Sequence, residues 1–135
     1  MPTSQLVTGV IDALPAPTVL LDSDGTILLT NPAWDAAADL VGDERLRIGV
    51  GDDYLALVRS LAGDEEISQQ LAGLRRLARG ESGVVSLDYQ LPSPTGPHWF
   101  HLQASRVDDA GRVVITHTDI TERVAAERAS AWQAR

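Results

Sequence analysis

The chain has 135 residues, 44% of them hydrophobic, a formal net charge of −8 and no cysteine. That length suits one domain with a modest core. The missing cysteine excludes disulfides, thiolate metal sites, cysteine nucleophiles and thioether-linked haem, and it fits a reducing, cytoplasmic setting.

All eleven basic residues are arginine, and the densest groups, Arg45–Arg47 and Leu74–Arg79, are short. No nucleic-acid partner is expected from so acidic a chain. No apolar run approaches ~20 residues and the N-terminus has no basic region, so neither a membrane span nor a signal peptide is expected.

In chain order, Leu6, Val10, Ile11 and Leu14 recur at roughly helical spacing, which predicts a short amphipathic helix ending before Pro15 and Pro17. Two β-rich runs, Val19–Leu21 and Thr26–Thr30, flank Asp24-Gly25, a hairpin signature. Asn31 is placed to cap a helix that opens with Pro32. A glycine-rich loop precedes Tyr54, Leu55, Leu57, Val58 and Leu61 at helical spacing. A further helix is expected from Asp64 to Gly80, acidic at its start and closed by glycine. The period then changes. Val85, Leu87, Tyr89 and Leu91 alternate with polar residues, and two more strands follow over 98–107 and 112–121. The tail beyond Thr121 has helix-forming composition without an apolar stripe. Hairpins at both ends imply an antiparallel sheet with helices on one side, an α+β domain.

The Asp24-Gly25 hairpin, the "NPAW" of Asn31–Trp34, the "WF" of Trp99-Phe100 and above all the "DITER" of Asp119–Arg123 resemble a PAS domain over roughly residues 10 to 123. The resemblance implies a five-stranded antiparallel sheet whose concave face, closed by helices, holds a pocket. It implies three parts: a flanking helix over 1–14, the PAS domain over 15–121, and a linker helix over 122–135 leading to an effector. Such domains sense a small molecule, light or redox state, or mediate dimerisation, and regulate an attached kinase, phosphatase, cyclase or transcription factor. Light-sensing members of the LOV type form a flavin adduct through a cysteine, and this chain has none. Haem-binding members use a histidine in the helices, and residues 32–80 contain none. A non-covalent flavin and a fatty-acid-like molecule both remain open.

"FHLQ" at Phe100–Gln103 and "HTDIT" at His117–Thr121 resemble the last two LOV strands, where the positions matching His98 and His117 turn polar groups toward the ligand. Alternation then gives an inward set of Leu87, Tyr89, Leu91, His98, Phe100, Leu102, Ala104, Val113, Ile115 and His117. The expected ligand contacts are Tyr89, Leu91, His98, Phe100, Leu102, Ile115 and His117. A buried, hydrogen-bonded core histidine is the plainer reading of His117. If Val107 pairs with Arg112, His117 lies opposite Leu102, about 13 Å along the strands from His98, too far to share a metal. His101 has outward parity. Asp22 and Asp24 read as turn residues, and Asp64–Glu66 as a charged helix start. No nucleophile elbow, phosphate loop or metalloprotease motif is present, so no enzyme is expected.

Trp99 has outward parity and needs a cover, for which the apolar face of Leu6, Val10, Ile11 and Leu14 is the natural candidate, from this chain or from the partner in a homodimer. Asp119 and Thr121 are expected to hold the corner between the last strand and the output helix. Arg123 is expected to pair with an acidic residue, and the resemblance suggests Asp22 or Asp24. Two functions stay open: a ligand sensor, or a dimerisation module whose interior is filled by its own side chains.

Overall fold

A computed structural model describes residues 2–61, 72–77, 79–80, 84–91 and 96–133. The elements in order are α1 (Pro2–Ala13), β1 (Thr18–Leu21), β2 (Ile27–Thr30), α2 (Pro32–Val41), a 3-10 turn (Glu44–Leu46) and α3 (Tyr54–Leu61). A helical stretch over 72–77 (α4) follows, then β3 (Val84–Leu91), β4 (His98–Arg106), β5 (Val113–Asp119) and α5 (Thr121–Gln133). The expected helix from Asp64 to Gly80 is described only over 72–77 and in its terminal Gly80, and Asp64–Glu66 lie outside the described residues.

The five strands form one antiparallel sheet in the order β2-β1-β5-β4-β3, so the last strand sits at the centre beside the first. The hairpin forms where Asp24-Gly25 predicts it. Asp22 Oδ1 accepts from the amides of Asp24 and Thr26, and Gly25 takes a positive φ of 92° that a side chain would resist. Asn31 does more than cap α2. Its buried Oδ1 accepts from the amides of Trp34 and Thr18, and its Nδ2 donates to the carbonyls of Leu14 and Ala16. One side chain thus fastens the segment after α1, the start of β1 and the start of α2.

The core lies between the sheet and the helices. Trp34, Ala38 and Val41 of α2, Tyr54, Leu57 and Val58 of α3, and Leu74 and Leu77 of α4 meet Phe100, Leu102, Ala104, Val113 and Ile115 of the sheet. Every described member of the inward set on β4 and β5 from Phe100 to Ala104 and from Val113 to His117 is buried. Val107 N–H donates to the Arg112 carbonyl, and Leu102 stands opposite His117, the register the turn predicts. No described helix is long and apolar enough to cross a membrane.

Two expectations about the outer surface change. Trp99 is half-buried, but α1 lies against β2, at the far edge of the sheet from β3 and three strands from β4. The group over the Trp99 ring is Arg128 of α5, 5.5 Å from its centroid. The cover comes from the C-terminal helix because the corner after β5 turns α5 across the neighbouring strand. The α1 stripe also divides. Ile11 is buried in this chain, Leu14 is half-buried, and Leu6 and Val10 stay exposed at 67% and 54%.

Candidate functional site

His117 sits on the central strand, on the side of the sheet that the helices cover, 6% exposed. β5 carries it inward by strand parity. Tyr54, the first residue of α3, approaches from the helix side, and Tyr89 comes from β3 two strands away. The Tyr54 hydroxyl lies 2.9 Å from Nε2 and the Tyr89 hydroxyl 2.6 Å from Nδ1. The rings of Trp34, Tyr54 and Tyr89 surround the imidazole at centroid distances of 5.6, 6.1 and 5.9 Å. Trp34 is held in turn by its indole N–H, which donates to the Ile48 carbonyl at 2.9 Å.

Burial controls the electrostatics here. Desolvation pushes the His117 imidazole down to about 4, and it pushes both tyrosines above their ordinary value, Tyr54 additionally feeling Tyr89. The triad is therefore neutral at physiological pH, with a tyrosine on each ring nitrogen. It can position a polar ligand group by hydrogen bonding; it holds no fixed charge.

From the triad a run of contacts leads to the end of β5. Tyr89 stacks on Phe100 at 5.5 Å, and Phe100 on His98 at 6.2 Å. His98 Nδ1 lies 3.2 Å from Asp119 Oδ2. Asp119 Oδ1 accepts from both the amide and the hydroxyl of Thr121, while Thr121 Oγ1 accepts from the Trp99 amide. The Ile120 amide donates to the Trp99 carbonyl. Partial burial pushes the Asp119 carboxyl up, but the Thr121 hydrogen bonds and His98 together hold it below its ordinary value.

Leu102 and Ile115 are fully buried next to Phe100 and His117 on their strands, both on the side away from the corner, and Phe100 lies within the track. Leu91 pairs with His98 through the backbone, and its side chain is outside the described atoms, as is that of Leu87. His98 stands at the rim rather than in the core, with 18% of its side chain exposed. His101 faces outward onto Asp88 at 2.7 Å. Arg123 does not reach the first hairpin. It lies 4.0 Å from Asp88 and 3.7 Å from Glu127, because α5 runs over the β3–β4 side of the sheet. Asp22 is engaged in its own turn.

Sequence reasoning missed Tyr54 as a site residue. It read only as one apolar position of α3, and its partner is 63 residues away. A shallow cleft lined by Leu21, Asp22, Ser23, Gly25, Leu55, Leu74, Arg75 and Val113 opens at the opposite end of β5 from the triad. No described His, Asp and Glu residues group in threes to hold a metal.

Comparison with known proteins agrees with this architecture. The family described as "PAS fold" matches residues 11–125. An "Uncharacterized 104.1 kDa protein in hypE 3′ region" of Rhodobacter capsulatus is 35% identical over 124 residues, covering 87% of this chain. The chain spans only 13% of that relative's length. The PAS domain of Bordetella pertussis BvgS superposes with a TM-score of 0.62 at 19% identity, covering 99% of this chain and 98% of that one. The PAS domain of the Cronobacter turicensis RpfR quorum-sensing receptor, solved in complex with C12:0, gives 0.55 at 18% identity over 82% and 99%. At such identities the two structures speak for the fold alone.

Proposed function

This chain belongs to the PAS-fold family, and from that premise we propose that it serves as the sensory domain of a larger signal-transduction protein. It binds a small, largely apolar ligand on its concave face and passes the signal through α5 to an effector such as a kinase, phosphatase or cyclase. The role is regulatory and cytoplasmic, with no reaction of its own. The observation that carries this reading is the buried Tyr54–His117–Tyr89 triad on the strand that ends in the Asp119–Thr121 corner. Tyr54 and His117 are buried and Tyr89 half-buried against an apolar core, where polar side chains are costly, so their meeting there calls for a use. Asp119, Thr121 and Arg123 form the junction. The small share of the 104.1 kDa relative that this chain spans supports an attached effector. The RpfR domain, whose complex holds C12:0, supports a ligand on this face; a flavin held without a covalent bond is the other candidate class.

One observation favours a second reading. Both His117 nitrogens meet protein groups, and three aromatic rings surround the imidazole. An interior filled in this way suits a ligand-free dimerisation module, with Leu6, Val10 and Trp99 at or near the interface. Native mass spectrometry of the protein purified from its own host separates the two. A stoichiometric small molecule, depleted in His117→Ala, is expected for the sensor. An apo dimer that takes up nothing from host extract favours the module.

A further inference from the structure

A neutral imidazole offers one N–H donor and one lone pair. Tyr54 and Tyr89 each add an O–H donor. The triad thus holds three polar hydrogens for its two hydrogen bonds. In either tautomer one phenol donates to the ring, while the other accepts from it and keeps its own hydrogen unused. Charging the ring would enlarge the surplus, because both nitrogens would then donate and both phenolic hydrogens would be left over.

Burial decides which phenol carries the spare hydrogen. Tyr54 is 1% exposed within the apolar core, and the one described hydrogen-bond partner of its hydroxyl is Nε2. Tyr89 is half-buried on β3, the edge strand of the sheet. The least costly arrangement has the Tyr54 hydroxyl donating to Nε2 and the imidazole hydrogen on Nδ1, bonded to the Tyr89 oxygen. The Tyr89 O–H is then free to turn toward an incoming group.

We propose that the Tyr89 hydroxyl is the hydrogen-bond donor to the ligand, and that this face takes a neutral molecule presenting one acceptor, a carbonyl oxygen or an aromatic ring nitrogen. This rests on the reading that the face binds a ligand at all. No cationic side chain stands beside the triad: the described rings around His117 are Trp34, Tyr54 and Tyr89, and Arg106, whose buried Nε has no described partner, stands opposite Val113, four residues along β5 from His117. A carboxylate would lose its water there with one phenolic donor and no adjacent cation to offset the loss, and an ammonium would add donors where there is already one too many.

The test has two parts on the full chain. The 15N shifts of the His117 ring report the tautomer, with Nδ1 expected to be pyrrole-like and Nε2 pyridine-like. Quinoline, naphthalene and 2-naphthoate are then titrated into wild type and Tyr89→Phe, followed by amide NMR shifts. In wild type, quinoline is expected to bind about fivefold tighter than naphthalene, the order of one net hydrogen bond, with the preference gone in Tyr89→Phe. An Nε2–H tautomer, equal affinity for quinoline and naphthalene, or tightest binding of 2-naphthoate overturns the proposal. If Tyr89→Phe does not fold, the wild-type tautomer and affinity ratio still decide. Binding without preference, or no binding of any of the three probes, overturns the acceptor assignment, while the ligand reading itself stands or falls on the native mass spectrum.

Discussion

Acidification should destabilise this domain through His117. Its folded value lies at about 4 because burial penalises the charged ring, against 6.5 in the unfolded chain. The groups facing it, Tyr54 and Tyr89, are neutral throughout this range, so neither offsets the cost. Between these two values the unfolded state binds more protons than the folded one. The stabilisation is therefore complete above the unfolded value and is lost as pH falls from about 6.5 toward 4. The full window is worth about 3 kcal/mol, and about 2 kcal/mol of it goes between pH 7 and pH 5. Urea unfolding at the two pH values measures the loss, and His117→Gln supplies the control. His98 and His101 are present in both proteins and cancel in the difference. The wild type should lose about 2 kcal/mol more than His117→Gln. An equal loss in both would refute the burial account of this histidine.

Other consequences follow from the same contacts. Asn31→Ala removes four side-chain hydrogen bonds and leaves the buried Thr18 amide unpaired. It should cost about 2–4 kcal/mol in urea unfolding, more than an ordinary helix cap. Gly25→Ala places a Cβ 2.7 Å from Leu55 Cγ at a φ of 92°, and should cost about 1 kcal/mol or more. A homodimer through the exposed Leu6 and Val10 face should sediment as such at micromolar concentration, and Leu6→Glu with Val10→Glu should yield monomers. A wild type that is monomeric throughout that range would remove the dimer from the account.

Local chemistry made much of the fold legible. Asp24-Gly25 declares its hairpin because a positive φ is needed there, and Asn31-Pro32 declares a helix start. The turn pairing Val107 with Arg112 set His117 opposite Leu102, and the apolar alternation along the two strands gave its inward parity. What escaped was tertiary. Tyr54 meets His117 only after α3 folds over the sheet, so no local pattern marks it. The cover of Trp99 and the partners of Arg123 depend on the direction α5 takes from the corner, which the residues of the corner do not encode by spacing. The α1 stripe was visible as apolar, but its division between core and solvent depends on where that helix lands.

The central claim is that the buried triad and the strand-to-helix corner are coupled. Hydrogen exchange reads this directly at three corner amides: Trp99 bonded to Thr121 Oγ1, Ile120 bonded to the Trp99 carbonyl, and Val124 bonded to the Ile120 carbonyl. The Gly42 amide, bonded to the Ala38 carbonyl at the end of α2, is the internal reference. In Tyr89→Phe, which alters the triad without touching the corner, protection at the three corner amides should fall more than at Gly42. Protection that is unchanged, or that falls equally at Gly42, would contradict the coupling.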